Sequence, residues 1–118
     1  SNPGSMYIIA ESDGKVAGEL DFVNGFLKRT KHSGSFTVFI SKEYRDSGIG
    51  LKLIDTLLQW AEEEPVIEKV TLNVFSTNIR AQKLYEKCGF LVEGNCPKDM
   101  KLSNGEYIDS VLMYKFVK

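Results

Sequence analysis

The spacing of the apolar residues changes at Gly48, and this change limits what the chain can fold into. Before Gly48 the apolar side chains alternate with polar ones, which is the two-residue period of a strand with one buried face. After it they recur every three or four positions, at Ile49, Leu53, Ile54, Leu57, Leu58 and Ala61. That period predicts an amphipathic helix, so we expect a helix packed on a sheet.

The segment before Gly48 is predicted to contain a β-hairpin and a third strand. An Asp13-Gly14 pair suits the tight turn of the hairpin. In its second strand the residues predicted to share the buried face are Val16, Leu20 and Phe22, with Glu19 and Asp21 on the opposite face. The predicted strands cover Tyr7 to Ala10, Val16 to Phe22 and Phe36 to Ile40.

Pro65 ends the first helix, and the segment after it is predicted to form a strand, a helix and two more strands. Val70 to Phe75 alternates as the fourth strand, and Asn78 is a candidate N-cap for the second helix. Ala81, Leu84, Tyr85 and Cys88 share one face of that helix, and Gly89 ends it. Phe90 to Phe116 reads as two strands that turn at Ser103-Asn104-Gly105. The predicted class is α+β, with an α/β mixed sheet and the order β-β-β-α-β-α-β-β.

The composition favours one globular domain in the cytoplasm. The 118 residues are 42% hydrophobic, enough for a single core. Fifteen basic and sixteen acidic residues leave a net charge of −1, so neither nucleic acid nor a membrane is expected as a partner. No apolar run approaches the roughly 20 residues of a spanning helix. Two cysteines and one histidine, without ligand spacing, predict no metal and no disulfide scaffold.

The junction of the third strand and the first helix is the most informative stretch, Arg45-Asp46-Ser47-Gly48-Ile49-Gly50. Glycines at 48 and 50 allow a tight turn and a close backbone approach to a ligand. The first N–H groups of a helix have no intrahelical partners and lie at the positive end of its dipole. This junction is therefore a candidate phosphate site, although a turn that uses glycine for geometry alone has the same pattern.

Two motifs together resemble those of the GNAT superfamily of acyl-CoA-dependent N-acetyltransferases. The first is Arg-x-x-Gly-x-Gly at Arg45 to Gly50, and the second is Asn-x-x-Ala-x-x-Leu-Tyr-x-x-x-Gly-Phe at Asn78 to Phe90. The resemblance covers Tyr7 to Phe116 and implies a GNAT-like acyl-CoA N-acyltransferase fold. It also implies acetyl-CoA as the cosubstrate.

The resemblance implies roles for particular residues. The strand backbone of Val38, Phe39 and Ile40 would pair with the pantetheine arm. Backbone N–H groups of Arg45, Asp46, Ser47, Gly48, Ile49 and Gly50 would bind the pyrophosphate. Asn78 would contact the cofactor, with a pure N-cap as the alternative. Tyr85 would protonate the departing thiolate, with a core aromatic as the alternative.

The general base is not identified by the resemblance. Several members place a glutamate five residues before the motif asparagine, and this chain has Asn73 there. Glu19, Asp21 and a water relay are the alternatives, while His32 is expected to be incidental. Cys88 is interpreted as a small core residue.

The start of the chain differs from the family pattern, in which a strand and two helices precede the hairpin. Residues 1–5 are interpreted as a loop remnant or an expression scar, and 6–118 as a single, N-terminally truncated domain. The Tyr7 to Ala10 strand is then an open edge. A second copy of the chain or a missing N-terminal segment is expected to pair with it.

The implied reaction moves an acetyl group from acetyl-CoA to a primary amine by direct attack in a ternary complex. The acceptor would be a small amine, an amino acid or a protein N-terminus, because Glu93-Gly94 and the stretch from Gly105 to Asp109, with Met113, look like that branch. The alternative is a non-catalytic GNAT-like module that only binds acyl-CoA.

Overall fold

The computed structural model describes residues 4–118 and contains the predicted order of strands and helices. The elements are β1 (Met6–Ser12), β2 (Lys15–Asn24), β3 (Ser33–Ile40), α1 (Ile49–Glu63), β4 (Lys69–Phe75), α2 (Ile79–Lys87), β5 (Leu91–Lys101) and β6 (Tyr107–Phe116). The strands form one mixed sheet in the order β1-β2-β3-β4-β6-β5. A short 3-10 helix, Lys42–Tyr44, was not predicted.

The chain divides into two compact units, residues 1–70 with 116–118 and residues 71–115. That residues 6–118 form a single domain stays a prediction. The interpretation of residues 1–5 falls partly on Ser1, Asn2 and Pro3, which lie outside the described residues. Of the remaining two, Ser5 donates a hydrogen bond from its Oγ to Asn24 Oδ1 at 3.1 Å.

The first unit is a three-stranded antiparallel meander with α1 packed on β2. The apolar face predicted for α1 is buried through Leu53, Ile54, Leu57, Leu58 and Ala61. On β2 the side chains of Leu20 and Phe22 are fully buried. The Phe22 ring meets Trp60 of α1 edge to face, with 5.8 Å between the ring centroids. This aromatic contact joins the helix to the middle of the meander.

One predicted core residue of β2, Val16, is exposed instead, with 49% of its surface accessible. The register of β1 on β2 shifts between Ala10 and Glu11, so that Ala17 is passed over in the pairing. A bulge of this kind breaks the two-residue alternation. Ala17 is fully buried, and the prediction for Val16 was wrong for that reason.

The end of α1 is held by the side chain of Lys118, also in the first unit. Lys118 Nζ donates to the carbonyl oxygens of Ala61 at 2.8 Å and Glu64 at 2.6 Å, and to that of Ile67. The last carbonyls of a helix have no intrahelical donors, and a lysine cation also opposes the negative end of the helix dipole. Lys118 therefore caps α1.

The second unit contains α2 and the antiparallel pair β5 and β6. The predicted inner face of α2 is confirmed by Tyr85 and Cys88, which are both buried. The rings of Tyr85 and Phe90 meet edge to face with centroids 6.3 Å apart. The register of β5 on β6 shifts twice, between Val92 and Gly94 and between Cys96 and Met100.

The strand β1 lies at one edge of the sheet, as the sequence predicted. Tyr7 and Ile9 on this strand are exposed. The expected partner for this edge stays a prediction. No helix within residues 4–118 has the length and apolar character to cross a membrane.

Replacing Gly34 of β3 with alanine should destabilise the protein, because β2 leaves no room for a side chain there. A Cβ at this position would lie 2.5 Å from Phe22 Cζ and 2.8 Å from the Val23 carbonyl oxygen. We expect Gly34→Ala to lower the free energy of unfolding, measured in urea, by about 1–3 kcal/mol. Gly94→Ala is the control, since a Cβ there meets no atom within 4 Å. Equal stability of the two variants would contradict this packing.

Candidate functional site

The loop between β3 and α1 turns sharply, because two of its residues adopt left-handed backbone conformations. Asp46 has φ 68° and Gly48, the N-cap of α1, has φ 85°. The Gly48 carbonyl oxygen accepts from Lys52 N at 3.1 Å, which is the first turn of the helix. Left-handed φ is open to glycine without steric cost, so Gly48 is the residue type that this turn requires.

The surface of the loop beside Gly48 is open. A Cβ built on Gly48 would meet no atom within 4 Å. The first turn of α1, which the structure describes in full, contains no acidic side chain. N–H groups at the start of a helix lack intrahelical acceptors and attract anions. The turn can therefore accept a phosphate group.

Other N–H groups of the loop already have acceptors. Ser47 N donates to the Tyr44 carbonyl oxygen at 3.3 Å, and Arg45 N donates to that of Lys42 at 3.5 Å. The pyrophosphate role predicted for residues 45–50 stays a prediction.

The end of β3 is linked to this loop. Val38, Phe39 and Ile40 pair with β2 opposite Leu20, Glu19 and Gly18. Arg45 Nε donates to the Ile40 carbonyl oxygen at 3.4 Å. The first unit thus brings together two of the predicted cofactor segments, while pairing of this strand with pantetheine stays a prediction.

Asn78 is the N-cap of α2, in the second unit. Its Oδ1 accepts from Ala81 N at 3.1 Å, which satisfies one of the open donors at the helix start. The capping role is confirmed, and the predicted contact with the cofactor stays a prediction.

Tyr85, also in the second unit, is buried on α2. Burial raises the pKa of its phenol above the ordinary tyrosine value, and the nearby Cys88 thiol raises it further. Desolvation disfavours the charged phenolate, so the hydroxyl keeps its proton at neutral pH. A neutral phenol can donate a proton, which is what the role predicted for Tyr85 requires.

The carboxylates considered as general bases lie in the first unit. Glu19 Oε2 accepts a 2.7 Å hydrogen bond from the Tyr7 hydroxyl. Asp21 lies opposite Tyr7 in the register and is exposed. Neither observation assigns a catalytic role to them.

A carboxylate not considered from the sequence lies in the second unit. Asn73 Nδ2 donates to Ser110 Oγ at 3.2 Å, and Ser110 Oγ donates to Asp99 Oδ2 at 2.9 Å. Asp99 follows Pro97-Lys98 in β5. No sequence pattern pointed to it, because its place depends on the register shift in β5.

His32 and Cys88 have structural contacts. The His32 carbonyl oxygen accepts from Glu68 N at 2.8 Å and from Lys69 N at 3.1 Å. The Cys88 carbonyl oxygen accepts from Lys115 Nζ at 2.9 Å. The Cys88 side chain is buried, in keeping with its interpretation as a core residue.

Comparison with known proteins agrees with the fold. Residues 1–90 match the model of the acetyltransferase (GNAT) family. A crystal structure described as an acetyltransferase of the GNAT family from Streptococcus pneumoniae superposes with a TM-score of 0.94 and 29% identity. The superposition covers 100% of this chain and 70% of that one. The chain belongs to the GNAT acetyltransferase family, and it is an acyltransferase of that type.

Two curated relatives are named for their acceptors. The chain is 30% identical over 111 residues to the L-amino acid N-acetyltransferase AaaT of Escherichia coli, covering 94% of this chain and 68% of the relative. It is 26% identical over 113 residues to the spermidine N(1)-acetyltransferase of Vibrio cholerae, covering 96% and 64%. The chain thus spans about two thirds of the length of these relatives.

Substitutions at Asn78 should separate its cap from a contact with the cofactor. Asn78→Ala removes the acceptor for Ala81 N and should cost about 1 kcal/mol of unfolding free energy in urea. Asn78→Asp keeps an N-cap oxygen and should retain most of this stability. If Asn78→Asp is stable yet binds acetyl-CoA more weakly in calorimetry, the residue also contacts the cofactor. Unchanged stability in Asn78→Ala would contradict the cap.

Proposed function

We propose that this chain transfers an acetyl group from acetyl-CoA to a primary amine by direct attack in a ternary complex. The main observation behind the proposal is the turn at Gly48. This glycine has a left-handed backbone at the start of α1, and the space beside its Cα is free for a ligand to approach the backbone. This is a geometry that suits a pyrophosphate. Membership of the GNAT acetyltransferase family supports acetyl-CoA as the donor.

Each element has one task in this proposal. The N–H groups of Gly48, Ile49 and Gly50 bind the pyrophosphate, and the backbone of residues 38–40 pairs with the pantetheine arm. Tyr85 gives its phenolic proton to the thiolate as the C–S bond breaks. The buried phenol carries its proton before the reaction, as a tyrosine of ordinary pKa also does at neutral pH.

The acceptor class is a small primary amine. The two curated relatives are named for L-amino acids and for spermidine, which share a primary amino group. The direct test is a panel of the twenty common L-amino acids, spermidine, spermine and a short peptide with a free N-terminus, with thiol release as the measurement. If the protein binds acetyl-CoA but none of these amines causes thiol release, the alternative of a non-catalytic module that only binds acyl-CoA is favoured.

Gly48→Val should weaken acetyl-CoA binding by at least about tenfold, or about 1.4 kcal/mol, in calorimetry. The branched side chain would occupy the space that the pyrophosphate needs, and its left-handed backbone is strained. Gly14→Val is the matched control in the same unit, because Gly14 has φ 76° and also no atom within 4 Å of a Cβ. The control should bind acetyl-CoA normally. Unchanged affinity in a folded Gly48→Val variant would remove this loop from the site.

Tyr85→Phe should lower turnover and leave cofactor affinity nearly unchanged. The ring still packs on Phe90, so the core is preserved. Loss of a general acid typically costs about 10²- to 10⁴-fold in kcat, because the proton is needed only in the transition state. KM for acetyl-CoA should stay within a few-fold of wild type. Full activity of the variant would make Tyr85 a structural residue.

A further inference from the structure

Three polar side chains form a chain of hydrogen bonds across neighbouring strands of the second unit. Asn73 on β4 donates to Ser110 on β6, and Ser110 donates to Asp99 on β5, at 3.2 and 2.9 Å. Ser110 is buried, with 1% of its surface accessible, whereas Asn73 and Asp99 are exposed. The chain of bonds runs in one direction and ends at a carboxylate that can reach solvent.

The position of Asp99 depends on a bulge in β5. The register shifts between Cys96 and Met100, and Lys98 inside this interval has φ 52°. The bulge is held by Asp109 of β6, whose carboxylate accepts from Lys98 N at 2.9 Å and from Asn95 Nδ2 at 3.2 Å. A bulge re-aims the side chain beside it, and here Asp99 reaches across to Ser110.

The carboxylate of Asp109 that anchors the bulge stays ionised to a lower pH than an ordinary aspartate. The hydrogen bonds from Lys98 N and from Asn95 lower the pKa of Asp109 below its usual value. The contribution of this carboxylate to stability is therefore complete above the unfolded pKa, and it is lost only as the pH falls through the lower folded pKa. Around neutral pH the bulge is held throughout.

We infer that Asp99 receives the acceptor amine in its ammonium form and accepts its proton. The inference rests on the proposed function, because an amine must lose a proton before it attacks a thioester. Ser110 holds Oδ2 of Asp99, and Oδ1 takes the proton from the ammonium nitrogen. The freed lone pair forms the C–N bond, the C–S bond breaks, and Tyr85 gives its proton to the leaving sulfur. The amide nitrogen then loses its second proton, which restores the Tyr85 phenol through solvent, and the proton held by Asp99 is released to solvent.

The other polar members of this chain of bonds act as positioning residues. Asn73 has an amide that cannot take a proton at neutral pH, and it donates to Ser110. The Ser110 hydroxyl donates its hydrogen bond to Asp99. Together they fix the carboxylate without competing for the proton. Asp99 also lies in the same unit as Tyr85, whose helix α2 follows directly after β4, whereas Glu19 and Asp21 do not.

Titratable groups that lie close to Asp99 in the sequence or across the β5–β6 pair must be separated from it. They are Cys96, Lys98 and Lys101 on β5 and Tyr107 and Asp109 on β6. The ammonium groups of Lys98 and Lys101 lie over the Tyr107 ring, 4.9 and 5.5 Å from its centroid. Asp99→Asn leaves all five unchanged, so a difference from wild type reports on Asp99.

The experiment compares wild type with Asp99→Asn across a pH series, using the panel amine that gives the fastest thiol release. At neutral pH, where the amine is protonated, kcat/KM for the amine should fall by about 10²-fold or more. As the pH approaches the pKa of the amine, more of the amine is neutral and needs no base. The ratio of the wild-type kcat/KM to that of the variant should therefore shrink toward one. Ser110→Ala should show the same trend with a smaller loss.

Two controls test whether the loss of activity is specific to Asp99 and whether the variant is folded. Asp55→Asn, an exposed carboxylate on α1, should keep the wild-type value at every pH. The affinity of Asp99→Asn for acetyl-CoA should equal that of wild type, which shows that the variant is folded. A ratio that stays constant with pH, or a variant with wild-type activity, would overturn the role of Asp99 while the proposed function stands. A wild-type protein that acetylates no amine would overturn both.

Discussion

The left-handed backbone at Gly48 is the constraint on which the candidate cofactor site depends. It turns the chain from β3 into α1 and exposes the first N–H groups of the helix at the end of a strand. The helix is fixed by its apolar face on β2, through contacts such as that of Trp60 with Phe22, and at its other end by Lys118. The N-terminal turn proposed to bind the pyrophosphate is thus held on a buried framework.

The two groups proposed for proton transfer in the second unit have different environments. Tyr85 is buried, and desolvation keeps its phenol neutral. Asp99 is exposed and accepts a hydrogen bond from Ser110. An acid that keeps its proton and a base that has lost its own are what amine acetylation needs. In the proposed mechanism Tyr85 is the acid and Asp99 is the base.

Some parts of the fold could be predicted because their patterns are local. The period of α1, the cap at Asn78 and the turn at Ser103-Asn104-Gly105 each depend on residues within a few positions of one another. Val16 shows where local patterns fail. Its place in the alternation pointed inward, but the bulge opposite Glu11 shifted the pairing and gave the buried position to Ala17. A bulge is decided by how two strands pair, which a single strand does not encode.

The sequence by itself determined the order of the elements, the glycine turn before α1 and the two motifs that resemble the GNAT superfamily. These follow from periodicity and from residue types at short spacing. Only the tertiary structure decided that Asp99 meets Ser110, eleven positions away on another strand. That contact needs the register shift in β5, the left-handed Lys98 and the carboxylate of Asp109 that holds them. Pairing between strands, and not any local preference of Asp99, gives this carboxylate its place.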